Sequence, residues 1–246
     1  DDKEDVARII NKYGFLALPV VDNEDRLVGI VTVDDAMDVI QAENTEDIER
    51  IHAIVPSDKP YLKTGVISIF LHRLPWLLIL MVSATFTGLI LNNYEEHLSV
   101  LGGSLLIACV PMLMDTGGNA GSQACVTVIR GLALDQIKFK DLFRVQWKEL
   151  RTGMLLAISL GLVCFAKLTL VDRLLFGFAY TPMIAFIVSL SLAITVIAAK
   201  FVGCSLPLIA KAVKLDPAVV ASPIITTIVD ALSLMVYCNI AIALLG

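Results

Sequence analysis

Charged residues are scarce in this chain of 246 residues: they make up 17% of it, whereas hydrophobic residues make up 57%, and the mean hydropathy is +0.80. A soluble globular domain has about 25% charged and about 45–50% apolar residues. One soluble core of this size cannot bury the surplus, so we expect lipid to cover it. The net charge is −5, and the acidic residues lie mostly in the first fifth of the chain, which argues against a nucleic-acid partner.

Cysteine pairs and a leader segment are also missing. The five cysteines lie inside or at the ends of apolar runs, and none forms a C-x-x-C pair. We interpret them as small buried residues with free thiols rather than as disulfides or zinc ligands. Residues 1–5 are acidic and polar, unlike a signal peptide, and the abrupt start indicates a chain cut from a longer protein.

Residues 1–60 have the composition of a soluble domain, and the apolar segments follow it. Within 16–33, two short β-rich segments flank an Asp-Asn-Glu-Asp turn, and the second leads into a helix at Asp34. An acidic stretch of helical character follows at 43–50. Five apolar segments come next, each near or above the roughly 18–20 residues that cross about 30 Å of hydrocarbon. They are 74–91, 98–129, 153–171, 182–199 and 218–245.

Lysine and arginine residues are distributed unevenly between the loops. Three loops carry four, six and three of them, whereas the other two carry none and one. The positive-inside rule therefore predicts a multi-pass plasma-membrane protein with a cytoplasmic N-terminus and an extracellular C-terminus. We expect the basic amphipathic stretch 138–151 to lie along the cytoplasmic interface before the third span. The basic loops are 50–73, 130–151 and 200–214, and the others are 92–97 and 172–181.

The second apolar segment is too long for one straight span, and the sequence P-M-L-M-D-T-G-G-N-A-G-S-Q, residues 111–123, interrupts it. Pro111 frees the carbonyl of Ile107, and Gly117 and Gly118 permit non-helical backbone. Such backbone at membrane depth is tolerated when it lines a cavity, so we predict a broken helix along an ion pathway. A glycine-rich helix-packing surface is the alternative. The candidate polar groups of this segment include Asp115, Asn119, Ser122 and Gln123.

Asp230 lies near the centre of the fifth segment, where a charge costs at least about 2.5–3.5 kcal/mol and is by default functional. Thr226 and Thr227 precede it by four and three residues and share its helix face. Pro223 is expected to free the carbonyl of Val219 as a further oxygen ligand. A protonated aspartate that is hydrogen-bonded between helices is the alternative interpretation.

All of these polar groups are hard oxygen donors, which suit Mg²⁺, Ca²⁺ or Mn²⁺. One aspartate per chain is few for a dication, and a twofold dimer would bring two together. Mg²⁺ dehydrates reluctantly, so we expect it to pass with most of its water molecules retained.

Three motifs together resemble the MgtE family of magnesium channels: P-x-x-x-x-x-G-G-N-x-G-x-Q, then R-G-L-A, then D-P-A-V-V…P-I-I-T-T-I-V-D. The sequence V-V-D-N-E-D-R-L-V-G-I-V-T-V-D-D, residues 20–35, resembles the second half of a CBS domain pair. The resemblance implies an all-α membrane domain of five helices behind a partial α/β CBS domain. The expected parts are the CBS portion at 1–42, a connecting acidic helix and linker at 43–65, and the pore domain at 66–246.

The resemblance also implies a homodimer with a central pore lined by the second and fifth spans. Asp230 would hold hydrated Mg²⁺ there, and Gly118 and Asn119 belong to the family's GGN turn. Cytosolic Mg²⁺ would bridge acidic positions and close the pore. Because these positions repeat at helical spacing, their like charges repel until cations bridge them; a solvated acidic helix face is the alternative. The acidic positions are Asp35, Asp38, Glu43, Glu46 and Asp47, with Asp216 as a further member or as a helix N-cap before Pro217.

The chain departs from the family pattern at three positions. Asp115 stands where many members have a small residue, so a dimer with Asp115 in its pore would present four carboxylates and a changed ion selectivity. Ser122 and Val126 stand where an amide and a hydroxyl are usual. The family's N-terminal helical domain and first CBS half would come before residue 1, which indicates an excised piece or a naturally short form.

Three other functions are compatible with parts of the pattern. An ion-coupled divalent-metal carrier would use the same oxygen ligands, although carriers often show inverted repeats. Asp115 and Asp230 could form the carboxylate pair of an intramembrane aspartyl protease, but the G-x-G-D context is missing. A purely structural CBS-tethered anchor would leave Asp230 unexplained. We therefore predict a transport protein rather than an enzyme.

Overall fold

The computed structural model describes residues 2–57, 60–101, 104–178, 180–220 and 222–246. It is mostly helical, with one antiparallel two-stranded sheet near the N-terminus. The elements are α1 (Lys3–Tyr13), β1 (Ala17–Val21), β2 (Leu27–Thr32), α2 (Val33–Ile51), α3 (Val66–Leu101), α4 (Ser104–Ala133), α5 (Leu142–Ala166), α6 (Asp172–Phe176), α7 (Pro182–Ala212) and α8 (Ser222–Leu245).

The N-terminal part is a small α/β unit with its own apolar contacts. The strand pair confirms the two predicted β-rich segments, but the sequence analysis missed α1, which begins at the cap residue Asp2 and ends at Gly14. Ala7 and Ile10 of α1 pack against Ala36 of α2. Helix α2 runs without interruption from the sheet through the acidic stretch, so the predicted boundary at 42/43 lies inside one helix.

Four helical stretches of the described chain are long and apolar enough to cross a membrane: Val66–Glu95, Phe139–Phe176, Pro182–Ala212 and Pro223–Leu245. Helix α4 is not among them, although its 30 residues span about 45 Å at 1.5 Å per residue. Its polar residues lower its hydropathy. It nevertheless lies at the centre of the bundle and packs against both α7 and α8.

Several predicted boundaries are wrong because polar residues do not by themselves end a helix. The loop predicted at 92–97 lies inside α3. Most of the stretch 138–151 is helical and forms the first part of α5, and its position along the cytoplasmic interface stays a prediction. Helix α7 continues past the predicted end of its span at 199. Helix α8 begins at Ser222, so Pro223 lies in its first turn and Asp230 is only the ninth of its 24 residues. At that position Pro223 does not interrupt the span.

The predicted break in α4 is also wrong: the helix is continuous through Pro111 and the glycines. The glycines allow close helix packing instead. A Cβ atom at Gly117 would lie 2.7 Å from Thr195 Cγ2 of α7, and one at Gly203 of α7 would lie 2.2 Å from the carbonyl oxygen of Gly121. The glycine-rich packing surface, the alternative interpretation, is therefore what the structure shows.

Candidate metal site and its regulatory region

A cavity of about 410 Å³ lies between α4 and α8. Asp115 and Asn119 are one helical turn apart on α4, and Thr226 and Asp230 are one turn apart on α8. The structure thus brings together five of the seven predicted pore residues, whereas Ser122 and Thr227 do not line the cavity. The lining residues are Pro111, Met114, Asp115, Gly118, Asn119, Thr226 and Asp230.

Gly118 sets how closely the two helices meet at this cavity. A Cβ atom there would lie 3.2 Å from Thr226 Cγ2 and 3.8 Å from Asp230 Oδ1. A larger side chain would therefore occupy the space in front of the aspartate. The Thr226 and Thr227 hydroxyls both donate to the carbonyl oxygen of Pro223, at 2.9 and 3.1 Å, so they still have oxygen lone pairs to offer a cation or its water.

The donor set around the cavity consists of oxygen: two carboxylates, one amide and one hydroxyl. Asp115 and Asn119 are exposed in the single chain, and Asp230 is half-buried. In the described part of the chain, no three His, Cys, Asp or Glu side chains converge into a group that could hold a metal ion directly.

A second cavity, of about 500 Å³, lies between α2, the end of α4, the end of α7 and the segment before α8. Four of the six predicted regulatory residues line it: Glu43, Glu46, Asp47 and Asp216. Arg50, which the sequence analysis missed as a site residue, donates hydrogen bonds to both Glu46 and Asp216. A guanidinium therefore joins α2 to the segment that leads into α8.

Five carboxylates line this cavity together with three basic side chains, which are those of Arg50, Lys211 and Lys214. Burial raises the pKa of Asp47, and the negative charges of Asp216, Glu4 and Glu43 raise it further. An ionised Asp47 is therefore disfavoured until positive charge is supplied. Lys3 supplies a positive charge to the neighbouring Glu43: Lys3 Nζ lies 3.1 Å from Glu43 Oε1.

Asp35 and Asp38 lie elsewhere. Asp35 Oδ2 accepts hydrogen bonds from the Thr32 backbone N–H and hydroxyl at 2.9 and 2.6 Å, which form a capping box at the start of α2 and lower the pKa of Asp35. Asp38 lines a separate cavity that it shares with Glu49. Asp216 caps the turn that follows it, as one of its two predicted roles requires: its Oδ1 accepts from the Ala218 N–H at 2.9 Å. Its Oδ2 accepts from Arg50, and its predicted part in a metal-binding gate stays a prediction.

Two further ion pairs stand outside the predicted sites. Lys200, predicted to lie in a loop, is buried in α7 with its Nζ 3.4 Å from Glu149 Oε2 of α5. Lys167 Nζ lies 2.7 Å from Oδ2 of the buried Asp172. A π-helical turn at Lys167–Val171 brings these two residues, five positions apart, onto one face. The five cysteines are buried and free, as predicted.

Long apolar helices that pack around a cavity lined with oxygen donors are typical of a multi-pass membrane protein. Residues 110–240 match the family model described as "MgtE: Divalent cation transporter", and residues 1–42 match the CBS domain model. The chain therefore belongs to the MgtE family, which confirms the resemblance seen in its motifs.

Relatives with the name "Magnesium transporter MgtE" align with almost the whole chain. The protein of Thermus thermophilus is 38% identical over 244 residues, which are 99% of this chain and 52% of the relative. That of Bacillus subtilis is 37% identical over 242 residues, 98% of this chain and 51% of the relative. The chain spans about half the length of these relatives. They are named transporters, which supports the prediction that the chain is not an enzyme.

Proposed function

We propose that this chain forms the pore of a homodimeric divalent-cation channel that conducts Mg²⁺ into the cytoplasm. The observation that carries the proposal is the cavity between α4 and α8, where Asp115, Asn119, Thr226 and Asp230 converge. Their oxygen atoms are the ligands that Mg²⁺ prefers. The names of the relatives support Mg²⁺ as the cation, and the oxygen atoms around the cavity support a binding position between the two helices.

The size of the cavity fits a hydrated ion. At about 30 Å³ per water molecule, 410 Å³ holds about a dozen of them, more than the six of an octahedral Mg²⁺ shell. Conduction requires binding that is favourable enough for entry and weak enough for release. Carboxylate, amide and hydroxyl groups that contact the ion through water meet both requirements.

The exposed polar face of α4 supports the dimer. Asp115 and Asn119 are exposed in a helix that packs inside a membrane bundle, and a carboxylate that faces lipid is costly. A second copy across a twofold axis would turn this face toward a shared, water-filled path. Two cavities would then form one pore, with both copies of Asp115 and Asp230 in its wall.

The proposed topology has five spans, with α4 as the second. A helix that packs against α7 and α8 can cross a membrane with lower hydropathy than a lipid-facing one, because only part of its surface meets lipid. With the N-terminus in the cytoplasm, the pore domain covers 66–246 behind the CBS portion at 1–42 and the connecting region at 43–65. The C-terminus is then extracellular.

Regulation is proposed at the acidic cavity between α2 and Asp216. Cytosolic Mg²⁺ would bind Glu43, Glu46, Asp47 and Asp216 and hold α2 against the pore domain. Burial raises the pKa of Asp47 most, and the negative charges of Asp216, Glu4 and Glu43 raise it further, so a cation bound in this cavity would stabilise the ionised carboxylate. Asp35 and Asp38 are further proposed ligands, for contacts beyond this cavity. The two positions that do not line the pore cavity, Ser122 and Thr227, remain proposed pore ligands on the strength of their sequence positions.

The test is Mg²⁺ uptake into proteoliposomes that contain an indicator dye. We expect Asp230→Asn to slow uptake by about ten- to a hundredfold, because a hydrogen bond to a charged group contributes about 1.5–3 kcal/mol. Thr226→Val and Thr227→Val compare two proposed ligands, since both hydroxyls bond to Pro223 and only Thr226 lines the cavity of the single chain. Slower uptake in Thr226→Val alone would remove Thr227 from the proposed ligands. Equal uptake by Asp230→Asn and wild type would exclude the proposed pore.

Two further measurements define the mechanism and the ion. Single-channel currents support a channel, whereas saturating, proton-coupled uptake would establish the ion-coupled carrier. Competition between Mg²⁺, Mn²⁺ and Ca²⁺ in wild type and Asp115→Gly tests the second carboxylate. We expect Asp115→Gly to weaken the competition by Mn²⁺ and Ca²⁺ more than that by Mg²⁺, because these ions lose water more readily to bind a carboxylate directly. An unchanged ranking would show that Asp115 does not contact the ion.

A further inference from the structure

The first turns of α5 carry cations and aromatic rings on one side. Five residues of this stretch form what we call the basic–aromatic face, and Lys138 and Lys140 precede it directly. All seven are exposed in the structure. The basic–aromatic face consists of Phe143, Arg144, Trp147, Lys148 and Arg151.

The opposite side of α5 fixes the direction of this face. Gln146 Nε2 donates to Ser205 Oγ of α7 at 3.0 Å, and Glu149 pairs with the buried Lys200 of α7. One turn later, a Cβ atom at Gly153 would lie 3.5 Å from Lys200 Cγ, so the stem of the lysine packs against the glycine. With 3.6 residues per turn, the basic–aromatic face then points away from the bundle.

The side chains of the face are arranged for an interface between lipid and water. Phe143 is 80% exposed and Trp147 is 59% exposed, which is unfavourable in water but matches the aromatic belt of membrane proteins. The Arg151 guanidinium lies over the Trp147 ring, with Cζ 5.8 Å from its centroid. The Arg144 side chain is 89% exposed and has only a loose contact, 3.5 Å, to Asp141.

We propose that the basic–aromatic face binds the headgroups of anionic phospholipids. Arg144, Lys148 and Arg151 recur at helical spacing, so one surface presents three cations, and guanidinium groups pair with phosphate in bidentate fashion. The two rings anchor the same surface at headgroup depth, below which α5 enters the apolar part of the bundle. The positive charge of the face favours phosphate as its ligand. The exposed aromatic rings favour the phosphate of a lipid headgroup over a free phosphate ion, because the rings also contact the bilayer.

The chain contains two tryptophans, which makes the proposal testable by fluorescence. The variant Trp76→Phe leaves Trp147 as the fluorescent tryptophan, at the basic–aromatic face. The variant Trp147→Phe leaves Trp76, which lies close to Arg73 of α3, the one lysine or arginine of that helix, and serves as the comparison site. The full chain is reconstituted in vesicles in which either the phosphatidylglycerol or the phosphatidylcholine is brominated. Quenching by each lipid gives their relative affinity at each tryptophan.

We expect phosphatidylglycerol to be preferred at Trp147 by about fivefold or more, since each engaged cation contributes about a factor of five. The variant Arg144→Gln, Lys148→Gln, Arg151→Gln is expected to lower the ratio to near one. Neutralising Arg8, Lys12 and Arg26 in the N-terminal unit removes equal charge and should leave the ratio unchanged. High salt should lower it, and inorganic phosphate at constant ionic strength should not.

Three results would overturn the proposal. A ratio near one at Trp147 would show that the face does not select lipids. The same preference at Trp76 as at Trp147 would show a general enrichment of anionic lipid around the protein. Protection of Trp147 from both brominated lipids would show that another protein surface, such as a second copy, covers the face.

Discussion

The close contact between α4 and α7 predicts a large effect of a single methyl group. In Gly203→Ala, the new Cβ atom would lie 2.2 Å from the carbonyl oxygen of Gly121 and 2.9 Å from its carbonyl carbon. Ordinary contacts begin near 3.5 Å, so α4 and α7 would have to separate by about 1 Å. Overpacking of this kind costs about 1–3 kcal/mol, and here both neighbours are backbone atoms that cannot rotate away.

Gly88→Ala is the matched control. Nothing lies within 4 Å of a Cβ atom at Gly88, which also lies inside a long helix, so alanine there should stabilise α3 by about 0.5–1 kcal/mol. Gly161→Ala, where the nearest atom is 3.5 Å away, should be close to neutral.

The assay is the fraction of monodisperse protein that survives heating in detergent, measured by fluorescence size-exclusion chromatography. At about 2–4 °C per kcal/mol, Gly203→Ala should lower the midpoint by about 2–12 °C, and Gly88→Ala should raise it by about 1–4 °C. The same midpoint for Gly203→Ala and Gly88→Ala would refute the close approach of α4 and α7, and with it the explanation of the glycines.

Three other predictions concern polar contacts and the cavity. Gly118→Ala should slow Mg²⁺ uptake severalfold, since its methyl group enters the cavity 3.2 Å from Thr226 Cγ2, a contact that requires a shift of only a few tenths of an ångström. Arg50→Gln removes the cation from Asp216, so half-maximal inhibition of flux should occur at lower internal Mg²⁺ than in wild type, with Arg50→Lys in between. Lys200→Met leaves Glu149 buried without its partner and should cost about 3–5 kcal/mol. In thermal unfolding, the double variant Lys200→Met, Glu149→Gln should recover much of that stability. If the losses of the two single variants simply add in the double variant, the two side chains do not interact.

Hydropathy predicts the membrane class and alternation predicts the strand pair. That residues of the second and fifth apolar segments lie together is predicted from the family resemblance. The sequence analysis places helix ends wrongly where it interprets charged residues as belonging to loops. Lys200 is an example: its stem packs on Gly153 and its charge meets Glu149, so the helix continues past it. Neither contact is visible without the packing of α5 against α7.

Contacts between distant parts of the chain lie beyond any local pattern. Arg50 and Asp216 are 166 positions apart, and each has an ordinary local explanation, one as a partner of Glu46 on α2 and the other as a cap before Pro217. Only the fold shows that one guanidinium serves both acids. Asp35 shows the converse, since its capping box with Thr32 is entirely local.

The glycine-rich sequence of α4 can be interpreted either as a pathway or as a packing surface, and helical periodicity allows both. Gly117 and Gly121 are one turn apart and face α7 and α8, where a side chain would collide. Asp115 and Asn119 are also one turn apart, on a different side of the helix, and line the cavity. Because α4 is continuous, close packing on the first side fixes the rotation of the helix and therefore holds the second side toward the cavity. A broken helix would lose that coupling, so the rigid, tightly packed glycine face is what would keep the carboxylate of Asp115 directed at a passing cation.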